Sequence, residues 1–339
     1  MRIGIVNDLA LAVEALRRAL SQRSDHTVVW TARSGEDAVV QCARNTPDLV
    51  LMDLVMPGMG GVEATRQIMA RSPCAILVVT ASVGGNAPLV FEAMGHGALD
   101  ATDVPALGSD APGAADGLLA KIDLIGRLIG DRPARAPRMP TRRAGNGERL
   151  IAIGASAGGP AAVAEVLGGL PAGFPAAIAV VQHIDEKFAG SMAEWLNRYS
   201  PNPVRLARPG DGLVAGEVLL AATNEHLVLT PEGVLDYTAE PKEQPYRPSV
   251  DVFFDSIAER WPGPIAGVLL SGMGRDGASG LLGLRRKGHP TIAQDRATSA
   301  VYGMPKAAAE LGAAVDVLPL DRIAARLRVL FGDLRSASQ

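Results

Sequence analysis

Short apolar runs alternate with helically spaced apolar positions along most of this chain. Ile3–Val6 is apolar, and Leu9, Ala12, Val13, Leu16, Ala19 and Leu20 then recur at helical spacing. The alternation continues with strands at 28–31, 49–52, 76–80 and 98–102. Helices are expected at 35–43, 62–69, 89–94 and 114–129. Five strands alternating with helices predict a parallel sheet covered on both faces. A second set begins at Leu150–Ile153, a buried strand, followed by a helix over 161–167 and a strand over 176–181. The stretch 204–237, with turns at Pro209-Gly210 and Pro231-Glu232-Gly233, reads as antiparallel hairpins. A helix at 249–260, a strand at 265–270, a helix at 278–287, a strand at 291–293, a polar loop at 295–305 and helices from 306 and 321 complete the pattern. The expected fold class is α/β, with two doubly wound parallel-sheet domains at 1–130 and 148–339. The segment 131–147, rich in Pro and Arg, reads as an extended tether.

In doubly wound sheets, ligands lie beyond the carboxyl ends of the strands, so polar residues there carry the candidate chemistry. In the first domain, Asn7 and Asp8 follow the first strand, Asp53 ends the third and Thr80 ends the fourth. Carboxylates gathered at one edge suit a hard divalent cation such as Mg²⁺. Asp53 is then a phosphoryl acceptor, and Thr80 a hydrogen-bond partner of the phosphoryl group. The bland reading makes Asp8 and Asp53 strand-end caps; their joint placement with Thr80 favours the site.

In the second domain the run LIAIGASAGGP, 150–160, reads as strand, glycine turn and helix start, with Ser156 at the apex. Free backbone N–H groups beside it, those of Ala157 and Met273 among the candidates, could hold an oxyanion. Alone, the turn is equally readable as an anion-binding loop. It departs from a dinucleotide-binding fingerprint because Ser156 replaces the middle glycine. His183 follows the next strand, and Asp276 lies in the glycine-rich loop 271–277 after another. Ser156, His183 and Asp276 therefore form a candidate acyl-transfer triad, with Asp185 and Asp295 as rival carboxylates. The order Ser, His, Asp departs from that of α/β-hydrolases. His26, His96, His226 and His289 read as structural.

Composition narrows the alternatives. A net charge of -3 argues against a nucleic-acid surface. No apolar run reaches the length of a membrane span, and the start of the chain does not read as a signal peptide. Two cysteines, Cys42 and Cys74, without metal-ligand spacing read as thiols in a reducing cytosol. The rival classes are a silent binding domain behind a phosphorylated first domain, a nucleotide-binding oxidoreductase and a DNA-binding regulator.

The residues Asn7-Asp8, Asp53 with MPGMGG, Thr80 and Pro105 resemble the two-component receiver domain. That resemblance implies the backbone carbonyl of Val55 as a further metal ligand beside Asp8 and Asp53. Asn7 stands where a second carboxylate is usual, and Val104 where a lysine is. GASAGG, QHI, RPSVDVFF, GMGRDG and AQDRATSAVYGMP, in that order, resemble the catalytic domain of the chemotaxis protein-glutamate methylesterase family, CheB. Asn7 and the GALDATDVPAL run are most similar to its Wsp-type branch. The resemblance implies a cytoplasmic hydrolase of γ-glutamyl methyl esters on chemoreceptor helices, which also deamidates glutamines. It implies a chemotaxis-type histidine kinase as phosphodonor, no cofactor for the ester chemistry, and no partner in nucleic acid or membrane. It further implies that the receiver restrains the esterase until Asp53 is phosphorylated.

Overall fold

The computed structural model describes residues 1–23, 25–105, 115–130 and 149–332; the predicted tether lies outside them. The chain divides into two compact units, Met1–Pro133 and Ala134–Gln339.

The first unit runs β1 (Arg2–Val6), α1 (Ala10–Leu20), β2 (Thr27–Ala32), α2 (Gly35–Arg44), β3 (Leu49–Met52), α3 (Gly61–Arg71), β4 (Ala75–Thr80), α4 (Ala87–Gly95), β5 (Asp100–Asp103) and α5 (Asp116–Gly130). Its sheet has the order β2-β1-β3-β4-β5, and all of its strand pairs are parallel. The inward residues Ile3, Ile5, Leu49, Leu51, Leu77 and Val79 pack against α1 and α5 through Leu16, Leu20, Leu118, Ile122 and Ile125. That apolar contact is the main driving force for closing this layer. The strand order reverses between β1 and β3, which opens a crevice beside Asn7, Asp8 and Asp53.

The second unit begins β6 (Leu150–Ala155), α6 (Gly159–Gly168), β7 (Ala177–Gln182), α7 (Glu186–Leu196), β8 (Val204–Leu206) and β9 (Val218–Leu220). It continues β10 (His226–Leu229), β11 (Leu235–Thr238), α8 (Val250–Arg260), β12 (Ile265–Leu269), α9 (Ala278–Arg286), β13 (Thr291–Gln294), α10 (Met304–Glu310), β14 (Asp316–Leu318) and α11 (Leu320–Phe331). The larger sheet has the order β14-β13-β12-β6-β7-β9-β8. The chain leaves β6 in one direction toward β7 and later returns to its other side at β12, so the switch point lies between β6 and β12.

Three features depart from the sequence expectation. The antiparallel hairpin is confined to β10 and β11, whereas β8 and β9 pair in parallel and extend the main sheet. The connection 207–217 carries the chain back to the starting end of β9, where a tight turn would have reversed it. Helix α7 and strand β14 are additional. The side chain of Asp185 caps α7, accepting from Lys187 N–H at 3.1 Å, so this rival carboxylate is occupied as a helix cap. Asp295 is likewise held in its own loop, accepting from Thr298 N–H at 2.9 Å and from the Thr298 hydroxyl at 2.7 Å.

Candidate active site

The β6–α6 turn is shaped by glycine. Gly158 has φ +77°, a conformation that a side chain would strain, and a Cβ there would come within 2.6 Å of Ser271 Oγ. Ser156 N–H donates to Ser271 O at 3.0 Å, and Gly159 N–H donates to Ser156 O at 2.7 Å. These bonds hold the serine at the strand end and do not use the Ala157 N–H. The loop after β12 closes against it: a Cβ on Gly272 would lie 2.8 Å from Ser156 Cβ. Glycine at that position lets the two strand-end loops meet. Ser156 is buried at this edge, with 7% of its surface exposed.

His183 arrives from the neighbouring strand. The β6–β7 register pairs Ala155 with Gln182, and His183 N–H donates to Ala155 O at 3.0 Å. Ser156 and His183 thus directly follow the ends of two adjacent parallel strands. Gln182, fully buried, braces both: its Nε2 donates to Ser156 O at 2.8 Å and to His183 O at 3.2 Å.

Asp276 completes the group. Its Oδ2 accepts from His183 Nε2 at 2.7 Å. The carboxylate accepts, so Nε2 carries the proton and Nδ1 presents its lone pair. Nδ1 is buried and has no hydrogen-bond partner among the described residues, and the His183 side chain retains 11% exposure. Asp276 also sits on the N-terminus of α8. It accepts from Ser249 Oγ at 2.8 Å, Val250 N–H at 2.6 Å and Asp251 N–H at 3.2 Å. Burial pushes its carboxyl upward, but the hydrogen bond and charge of His183, the Val250 N–H and the Ser249 hydroxyl outweigh it, leaving the carboxyl below the usual range. The start of a helix favours a negative charge for the same reason.

Four contributors escaped the sequence reading. Ser249, beyond its place in the RPSVDVFF run, holds Asp276. His226 Nδ1 accepts from Ser249 N–H at 3.1 Å and so fixes the cap. Gln182 joins the two strand ends. Tyr246 stacks on the His183 ring, with centroids 4.5 Å apart and planes 12° from parallel. His226 and Gln182 act on backbone groups and Tyr246 through its ring face, contacts that leave no periodic mark; Ser249, a cap serine before an apolar helix, is the one with an available signal.

In the first unit, Asp53 is buried at the end of β3. Asn7 Nδ2 donates to its Oδ2 at 3.0 Å, and Leu54 N–H to its Oδ1 at 2.7 Å. Burial holds its carboxyl above the usual range, with a smaller push from Asp8; the N–H groups of Leu54 and Val55 and the Thr80 hydroxyl act in the opposite sense. Thr80 is buried and accepts from Asn86 Nδ2 at 3.0 Å. Val104, at the position of the usual lysine, packs against the apolar core and brings no charge to this edge.

Comparison with known proteins agrees with both halves. The CheB methylesterase family model matches residues 151–327, and the response regulator receiver domain model matches residues 3–103. A protein-glutamate methylesterase/protein-glutamine glutaminase of Burkholderia lata is 62% identical over 330 residues, covering 96% of this chain and 97% of that one. One from Pseudomonas aeruginosa is 58% identical, covering 98% and 100%. The crystal structure of the Thermotoga maritima CheB methylesterase catalytic domain superposes with a TM-score of 0.52 at 35% identity, covering 55% of this chain and all of that one. Residues gathered at two strand edges, a receiver model over the first unit and a methylesterase model over the second all lead to one conclusion: the chain belongs to the CheB methylesterase family, with a receiver domain ahead of its catalytic domain.

Proposed function

We propose that this protein hydrolyses γ-glutamyl methyl esters, and deamidates glutamines, on the cytoplasmic helices of a chemoreceptor, using Ser156, His183 and Asp276. The carrying observation is the His183–Asp276 bond at 2.7 Å, with the opposite ring nitrogen unpartnered among the described residues, at the end of the strand beside the one that leads to Ser156. Ser156 Oγ attacks the ester carbonyl carbon while His183 Nδ1 accepts its proton. The oxyanion forms near the N–H groups of Ala157 and Met273. The tetrahedral species then collapses, His183 returns the proton to the leaving oxygen, and methanol departs from a glutamyl-Ser156 ester. Water, deprotonated by His183, attacks this ester and releases glutamate. With a glutamine side chain, ammonia leaves in place of methanol. Asp276 keeps the proton on Nε2 and stabilises the imidazolium.

In the receiver, a histidine kinase of the chemosensory type supplies the phosphoryl group to Asp53, in the same cytoplasmic compartment as the receptor helices. The residues present fit a divalent cation of the Mg²⁺ class. Asp8 lies close enough to Asp53 to raise its carboxyl, a like-charge proximity that a cation relieves. Asp8, Asp53 and the Val55 carbonyl would hold that ion, whose charge offsets the incoming phosphoryl group. Phosphorylation of Asp53, with Thr80 bonding the phosphoryl oxygen, raises esterase output.

The test is methanol release from a methylated receptor fragment, with and without a small phosphodonor. Ser156→Ala is expected to lower turnover about a millionfold, the scale of losing a triad serine. Asp53→Asn is expected to remove only the response to the phosphodonor. Equal methanol release from wild type and Ser156→Ala refutes the assignment.

A further inference from the structure

Resting on the triad reading, we infer that Tyr246 is a positioning residue for the base: its ring face holds the His183 imidazole and favours the charged form that arises during acyl transfer. His183 is constrained at one edge by Asp276, through Nε2 at 2.7 Å. An edge contact alone lets the ring tilt about that bond. Tyr246 supplies the second constraint, lying flat on the ring at 4.5 Å and 12°. Rotation of the imidazole would break both contacts together, so Nδ1 keeps one direction.

The origin of Tyr246 strengthens the case. It lies three residues before Ser249, on the segment between β11 and α8. Ser249 Oγ donates to Asp276 Oδ1 at 2.8 Å, and Ser249 N–H is tied to His226 at 3.1 Å. Arg247 braces the same segment, its guanidinium donating to Lys242 O at 3.1 Å. One short stretch therefore holds the carboxylate from behind and covers the imidazole face. When His183 takes the serine proton, the new cation lies over an aromatic face, where the ring quadrupole attracts it. That attraction grows with the charge, so it serves the transition state more than the resting enzyme.

The experiment uses the full chain with Tyr246→Phe, Tyr246→Leu and Tyr246→Met, and two readouts. Methanol release gives kcat and KM. The rate of covalent labelling by a fluorophosphonate, in which Ser156 Oγ bonds phosphorus, fluoride leaves and His183 takes the proton, requires no receptor. Tyr246→Leu is expected to lower kcat and the labelling rate about tenfold with KM within twofold of wild type, and Tyr246→Phe to retain both within threefold. In a His183→Ala background, Tyr246→Leu should add no further loss. Should the leucine variant not fold, Tyr246→Met removes the ring face with an unbranched side chain and carries the same expectation. Wild-type rates in the folded leucine or methionine variant overturn the inference. So does a phenylalanine variant as slow as leucine, or an effect confined to KM. Labelling that proceeds in wild type without methanol release breaks the substrate reading alone, and the labelling rates of the variants then decide this role by the same thresholds. A wild type that fails to label overturns both.

Discussion

The two units place an aspartate at a strand end of a parallel sheet and prepare it for opposite work. Asp276 receives four protein donors, from Ser249, Val250, Asp251 and His183, and its carboxyl lies below the usual range. Asp53 receives Asn7 and Leu54 among its donors, shares its edge with Asp8, and its carboxyl is held above the usual range. Both are buried, so burial does not distinguish them. The difference lies in which charges face them: the His183 imidazole and the start of α8 favour the charge on Asp276, whereas Asp8 opposes it on Asp53. A carboxylate whose charge is favoured in this way stays fixed and orients an imidazole. One whose charge is opposed by a second carboxylate suits a cation-assisted transfer of a phosphoryl group.

The largest expected effect that separates these roles comes from Asp276→Asn. The amide preserves the shape of the side chain but brings N–H groups where His183 Nε2–H and Val250 N–H both need an acceptor. The imidazole then turns to its other tautomer, and Nδ1 no longer presents a lone pair to Ser156. We expect a loss of about ten-thousandfold in kcat, measured by methanol release, with phosphoryl uptake at Asp53 unchanged. A loss smaller than tenfold would make Asp276 a helix-cap ligand only.

A smaller change sharpens the other half. Asn7 Nδ2 donates to Asp53 Oδ2 at 3.0 Å, a bond that a carboxylate at position 7 would turn into repulsion. Asn7→Asp is expected to tighten Mg²⁺ binding about tenfold by calorimetric titration, because another oxygen ligand and another charge join the edge. Without Mg²⁺ the same variant should melt a few degrees lower. Unchanged Mg²⁺ affinity would mean that position 7 does not face the cation.

Much of this was legible before any coordinates. Ser156 and His183 stand at the ends of buried apolar runs and Asp276 in the glycine-rich loop that follows one, and a parallel sheet brings such ends to one edge. Strand direction was less legible. The short stretches of β8 and β9 are compatible with either sense, and the Pro209-Gly210 turn favours a hairpin; the path of 207–217 decides it, and that path depends on where β7 has already placed the sheet edge. Helix α7 was hidden by Gly190 within a short amphipathic stretch, although Asp185 before Glu186 carried a cap signature. Tyr246 and His226 had no sequence signal, because a ring face on an imidazole and a ring nitrogen under a backbone N–H are tertiary facts.

The smallest effect concerns Asp251, the first acidic residue of α8, which lies between the two behaviours. Burial and the charge of Asp276 push its carboxyl up to about 8, against the Gly280 N–H that donates to it at 2.7 Å. A carboxyl raised in the folded state binds its proton there and loses it on unfolding. Between pH about 4 and pH about 8 the native form therefore holds more protons than the unfolded chain, and stability falls as pH rises through this window. Asp251→Asn keeps an acceptor for Gly280 and removes the titration. We expect equal melting temperatures for variant and wild type near pH 4, and a variant that melts about 2–4 °C higher at pH 8. A variant that melts lower at pH 8 would show that the Asp251 charge is compensated locally. The contrast between a favoured and an opposed carboxylate charge would then hold for Asp276 and Asp53 without extending to their neighbours.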